Sequence, residues 1–228
     1  MSAIEITIGE NAVEVPLVGI GTSVAAEFDD VRIWDVDLPA GALHSWHLHR
    51  NPYVVLSIIG STGRMDWIDG APPRDISEYT GGAVFRPVSP VHRLWNTGGH
   101  RYRNHLIELK QLGELRASGP YDVGVGARSV EGELPEGASR EADGRMPTIV
   151  TEFVRVWTVA VPARGSVELD LDAVPHLLVE LAPDRPAAEL GAAIRRVAGG
   201  PARLQNPDDE ERSWFVVALD YQERSLDD

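Results

Sequence analysis

An all-β fold is what this 228-residue sequence predicts, and three observations predict it. Short apolar or alternating runs recur from end to end, turn-forming Gly, Pro, Asn and Asp stand between most of them, and the two halves of the chain resemble each other. Strands at that spacing with that punctuation argue for an antiparallel sandwich or barrel.

Taken in order, the runs are EITI (5–8), VEVPLVGI (13–20), VRIWDVDL (31–38), YVVLSIIG (53–60), AVFRPV (83–88) and HLIELK (105–110) in the first half. The second half gives VRVWTVAV (154–161), SVELDLD (166–172), HLLVEL (176–181) and WFVVALD (214–220). Only PAAELGAAIRRVAG, 186–199, reads as a helix. Residues 113–148 are rich in Gly, Ala, Ser, Glu and Pro without sustained periodicity, a composition that buries little apolar surface and reads as a connector. The predicted organisation is therefore an N-terminal domain over 1–112, a connector over 113–148 and a C-terminal domain over 149–228.

The halves match in two tracts. VRIWDVDLPAG (31–41) pairs with VRVWTVAVPARG (154–165), and HRLWNTGGHRYRNHLIELK (92–110) pairs with ARLQNPDDEERSWFVVALD (202–220). The offsets, 154 − 31 = 123 and 206 − 96 = 110, differ by 13 residues that the second half has lost between its anchors. Duplication accounts for two tracts kept in the same order.

Bulk chemistry narrows the partners. A net charge of −14, from 21 basic and 35 acidic residues, disfavours nucleic acid and anionic membrane surfaces, which are bound by clustered Lys and Arg. There is no cysteine, so any metal must sit on N and O ligands. The N-terminal MSAIEITIGENAVEV has no basic region followed by an apolar one, and no window approaches the ~18 apolar residues of a membrane span. A soluble cytoplasmic protein with a small-molecule substrate is expected.

The chemistry concentrates in GALHSWHLHRNPYVVLSIIG (41–60). Residues two apart on a strand share a face, so His47 and His49 project together, as a bidentate metal clamp requires. His44, at odd spacing from His47, is expected to be exposed. Arg50 and Arg93 adjoin histidines and are candidates for clamping a substrate carboxylate, although strand alternation favours an outward direction. Asn96 reads as a strand-ending turn residue.

These segments resemble the two motifs of the cupin superfamily. Gly41, His47, His49 and Gly60 stand at the spacing of the first, with Tyr53 where the motif has glutamate; Gly81, Pro87, His92 and Asn96 stand at that of the second, with Ser89 where it has an inner glycine. The dense resemblance spans roughly residues 31–110 and extends weakly over the repeat. It implies two cupin jelly-roll β-barrels, a bicupin, with His47, His49 and His92 as ligands of a divalent metal, Fe(II) foremost and Zn, Ni or Mn as alternatives. Tyr53 is then a phenolate ligand, a hydrogen-bonding group beside the ligands or a packing residue, and Ser89 is expected to lie at a turn away from them. His105 is a candidate general base against a structural role.

Carried through the repeat, the ligand positions become Asp170, Asp172, His176 and Ala202, a degenerate set that could at most form a weak oxygen-rich site. Trp34 and Trp157 occupy equivalent places and read as structural, while Trp46, Trp67 and Trp95 are candidates to line a pocket. The reading is a metal-dependent enzyme, with an iron(II) dioxygenase of small organic acids or enolisable substrates ahead of a non-redox lyase, isomerase or cyclase and of a non-catalytic binding barrel. Open strand edges suit a homodimer.

Overall fold

A computed structural model describes residues 2–8, 11–86, 88–116 and 137–223. The chain forms two compact units, one holding β1–β8, β10 and β11 and the other β12–β18; β9 pairs in the sheet of the first, although its residues 83–85 group with the second.

In the first unit, β1 (Ser2–Ile8) and β2 (Asn11–Leu17) make a hairpin. β3 (Ser23–Glu27), β4 (Val31–Leu38), β6 (Tyr53–Ile59), β9 (Ala83–Arg86) and β11 (Tyr102–Leu109) form a five-stranded sheet in the order β3-β4-β11-β6-β9. β5 (Leu43–His47), β7 (Thr62–Trp67), β8 (Arg74–Ser77) and β10 (His92–Asn96) form a four-stranded sheet in the order β5-β10-β7-β8. All eight residues of the central strand β11 are buried, as are six of the seven in β6; β6 (YVVLSII) reads as a nearly continuous apolar run, whereas β11 (YRNHLIEL) buries Arg103, Asn104, His105 and Glu108 as well.

In the second unit, β12 (Met146–Val150), β13 (Arg155–Val161), β15 (His176–Glu180), β16 (Ile194–Val197) and β18 (Arg212–Ala218) are ordered β12-β13-β18-β15-β16, with β14 (Ser166–Leu171) paired to β17 (Gly200–Gln205). The five-stranded sheets of the two units thus have the same order. The correspondence reaches single hydrogen bonds. Asn96 Nδ2 donates to the carbonyls of Leu38, Pro39 and His100, and Asn206 Nδ2 donates to those of Val161, Pro162 and Glu210, each partner displaced by the sequence offset of its own tract. Between β6 and β9 the first unit inserts β7 and β8; between β15 and β16 the second has only a 3₁₀ segment, Ala187–Ala193. The shortfall of the second half lies there.

Three expectations change. The sheets have free outer strands among the described residues, so they are paired sheets and not closed barrels. The helix expected over 186–199 is a 3₁₀ segment followed by β16, because Ile194 and Val197 pair with Val179 and His176 instead of continuing a helical face. The expected connector ends earlier, since β12 pairs with β13 from Met146 onward; residues 117–136 of it lie outside the described residues, as does Pro87. No helix among the described residues is long and apolar enough to cross a membrane.

Candidate metal centre

His47 ends β5, His92 begins β10, and the two face each other directly across the antiparallel ladder. His49 follows two residues past His47 on the same side. Ligand atoms of the three lie within 4.8 Å of one another, all three side chains are buried, and among the described residues no other group of histidine and carboxylate side chains meets this way. Ring centroids are 4.4 Å apart for His47 and His92, and the His49 and His92 rings are nearly parallel at 5.2 Å. The motif glycines Gly41 and Gly81 have φ of +71° and +86°, a region in which a Cβ is strained, which explains glycine at the turns that launch β5 and β9.

Each tautomer follows from a backbone contact. His47 Nδ1 lies 2.8 Å from the Ser45 carbonyl and His92 Nδ1 lies 2.8 Å from the Pro90 carbonyl. A carbonyl only accepts, so both Nδ1 atoms carry the proton and both Nε2 atoms keep a lone pair. His49 Nδ1 is buried without a partner. Burial first, and neighbouring imidazoles second, hold His47 and His49 well below the ordinary histidine pKa; burial brings His92 down to about 4. Three neutral imidazoles at neutral pH are the protonation state that metal ligation needs.

Around them, Trp67 packs on the His92 ring at 5.4 Å and Tyr53 stacks on His49 at 4.0 Å. The Tyr53 hydroxyl lies 3.1 Å from Ser89 Oγ, and burial raises its pKa, so it stays a phenol. Ser89 is fully buried and touches Tyr53, a contact the sequence did not indicate. The two residues that depart from the motif are therefore hydrogen-bonded to each other.

His44 is buried and lines the pocket, its Nε2 2.9 Å from the Gly19 carbonyl. The expected exposure fails because the β5–β10 ladder has a bulge: His92 pairs with His47 but Leu94 with His44, so two residues of β5 face one of β10 and the parity reverses. His105 goes the other way. Asn104 and Leu106 line the pocket, so His105 between them points to the opposite face of β11, its Nδ1 3.3 Å from Asp35 Oδ1. Asp35 there accepts both Arg103 Nε at 2.9 Å and Arg103 Nη2 at 3.1 Å. Burial alone would raise its pKa, but His105 and Arg103 outweigh that and lower it. The structure sets His105 beside Asp35 behind the sheet, outside the lining of the pocket that holds the three histidines.

Arg50 is exposed, and Arg93 pairs with Asp66 at 3.0 Å between the rings of Trp46 and Trp95, so neither faces the pocket. None of Trp46, Trp67 and Trp95 lines the cavity itself. In the second unit Asp172 is tied to Arg155 at 2.7 Å, His176 is fully buried against the Val174 carbonyl, and no cluster with Asp170 forms among the described residues.

The space open to the centre of a water-sized sphere is about 40 Å³. One water needs roughly 10–15 Å³ by that measure, so the cavity takes a few small groups. Its polar lining includes Glu78, Arg86, Tyr102 and Asn104, which the sequence reading did not single out. For Arg86 a signal existed: a lone cation inside the apolar run AVFRPV.

No family model matches the chain, and no curated protein matches it. Among solved structures, AerE from Microcystis aeruginosa aligns over 95% of this chain and 96% of its own with a TM-score of 0.58 at 6% identity. A cupin domain from Bordetella pertussis aligns over 39% of this chain and 90% of its own at 22% identity, with a TM-score of 0.36. Oxalate decarboxylase from Bacillus subtilis aligns over 84% of this chain and 68% of its own at 10% identity, with a TM-score of 0.48. At such identities the likeness is one of fold, and the alignment with AerE carries it.

Proposed function

We propose that the protein is a metal-dependent cupin enzyme, an iron(II) dioxygenase of small organic acids or enolisable substrates, whose divalent metal is held by His47, His49 and His92. The observation that carries this is the convergence of three buried, neutral imidazoles within 4.8 Å, two of them locked with Nε2 free. The donor set fits a borderline divalent cation, and with no carboxylate among the ligands the charge of the cation is undiminished and positions stay open. A bound metal supplies Lewis acidity toward a carboxylate or carbonyl and, as iron(II), redox chemistry toward dioxygen. The chain does the rest. Backbone carbonyls of Ser45 and Pro90 orient the imidazoles, Tyr53 and Trp67 pack on the His49 and His92 rings, and the Tyr53 phenol with Ser89 offers a hydroxyl pair that can hold or pass a proton.

That hydroxyl pair favours a second reading, in which zinc, nickel or manganese serves a lyase, isomerase or cyclase and Tyr53 moves the proton. In both readings the halves are two cupin units and only the first is catalytic, since Ala202 stands at the repeat position of His92.

The test is elemental analysis of untagged protein purified anaerobically, beside His92→Ala. About one iron per chain, lost in the variant while the fold persists, supports the first reading and leads to oxygen-consumption screens with thiols, diketones and phenolic acids. Zinc, nickel or manganese at that stoichiometry supports the second. No metal after reconstitution overturns both and leaves a binding protein.

A further inference from the structure

Arg86, at the end of β9, is 4% exposed and lines the cavity that holds the three histidines. Its Nη1 is buried without a hydrogen-bond partner. The carboxylate lining the same cavity, Glu78, directs Oε2 to Ser57 Oγ and the Tyr102 hydroxyl, each at 2.8 Å, and no ion pair joins it to Arg86 among the described residues. An uncompensated buried guanidinium costs several kcal/mol unless something anionic meets it.

Arg86 is not a remote cation. It lines the same cavity as His47, His49, His92 and Tyr53. The guanidinium is planar, permanently charged and shaped to grip a carboxylate through two parallel N–H donors. A cavity of about 40 Å³ beside it has room for such a group and little more.

We infer that Arg86 is the anion anchor of the pocket, binding the carboxylate of a small organic acid and so presenting the rest of that acid to the three-histidine site. This deepens the proposed function and rests on it for the chemistry, but the anion site is a property of the chain with or without metal. It also reassigns the role considered for Arg50 and Arg93, which point elsewhere.

The experiment uses the full chain after chelator treatment, with acetate and pyruvate as probes and Arg86→Met and Arg93→Met as variants. Calorimetric titration of the wild type should show saturable binding that weakens at least about tenfold in Arg86→Met and is unchanged in Arg93→Met. Thermal unfolding supplies an independent readout. Removing an unpaired buried charge should raise the midpoint of the ligand-free protein by several degrees, whereas loss of a merely structural contact would lower it; pyruvate should raise the midpoint of wild type and of Arg93→Met but not of Arg86→Met. Unchanged probe binding in Arg86→Met, no binding to wild type, or a lowered midpoint of the ligand-free variant overturns the inference. Metal content is measured separately, so a metal-free chain that binds pyruvate through Arg86 fails the enzyme reading and keeps this one, and a metal-loaded chain indifferent to Arg86 does the reverse.

Discussion

Acid should unfold the metal-free protein earlier than a carboxylate count suggests, and His92 sets the size of the effect. In the folded chain His92 is held at about 4 against 6.5 for an ordinary histidine, because burial penalises the imidazolium. Between those values the unfolded chain binds the proton and the folded chain refuses it, so the unfolded state gains protons and stability falls as the pH drops through that window. Above about 6.5 the full stability is present. The gap corresponds to about 3 kcal/mol from His92 alone, a large share of the ~5–15 kcal/mol that holds a domain together. His47 and His49 act in the same direction, and Glu108 opposes them, since burial raises its carboxyl and protonation relieves that strain as the pH falls. Urea unfolding of chelator-treated wild type and His92→Gln at several pH values from about 7 to about 4 measures the difference. Wild type should lose about 3 kcal/mol more than the variant. Parallel pH profiles would refute the picture of a histidine buried in its neutral form.

Three further substitutions separate the site from its scaffold. Tyr53→Phe strands Ser89 Oγ in a fully buried position and should cost about 1–3 kcal/mol while leaving bound metal in place and slowing turnover; loss of metal on elemental analysis would instead make the phenol a ligand. Asn96→Ala and Asn206→Ala each remove three donated bonds to backbone carbonyls and should each cost about 2–4 kcal/mol in urea unfolding, and a cost below about 1 kcal/mol would deny these asparagines their place as turn anchors.

Much of the fold was legible because apolar periodicity and turn formers act locally. All ten apolar runs coincide with strands or overlap them, and the histidine pattern identified a cluster that does form. Strands that carry less apolar signal, such as β8 with RDIS and β17 with GPARLQ, escaped notice because their pairing is supplied by neighbours and not by their own composition. The helix over 186–199 failed for the same reason: β15 offers Ile194 and Val197 a ladder that outweighs a weak local preference.

The sequence by itself determined that His47 and His49 share a face, that His92 belongs with them, that any metal must be held by N and O ligands, and that the halves match in order. The first rests on spacing along one strand and the third on composition, the fourth on comparing the two halves, and the second on the resemblance to the two motifs; folding alters none of these. Only the tertiary structure decided which of the remaining polar residues meet the pocket. A one-residue bulge in the β5–β10 ladder turns His44 inward, strand alternation sends His105 to Asp35 behind the sheet, Ser89 closes on Tyr53 across 36 positions, and Arg86 is left buried without an anion. Those outcomes depend on register and on what lies across the sheet, and register is a property of pairs of strands that no single stretch of sequence contains.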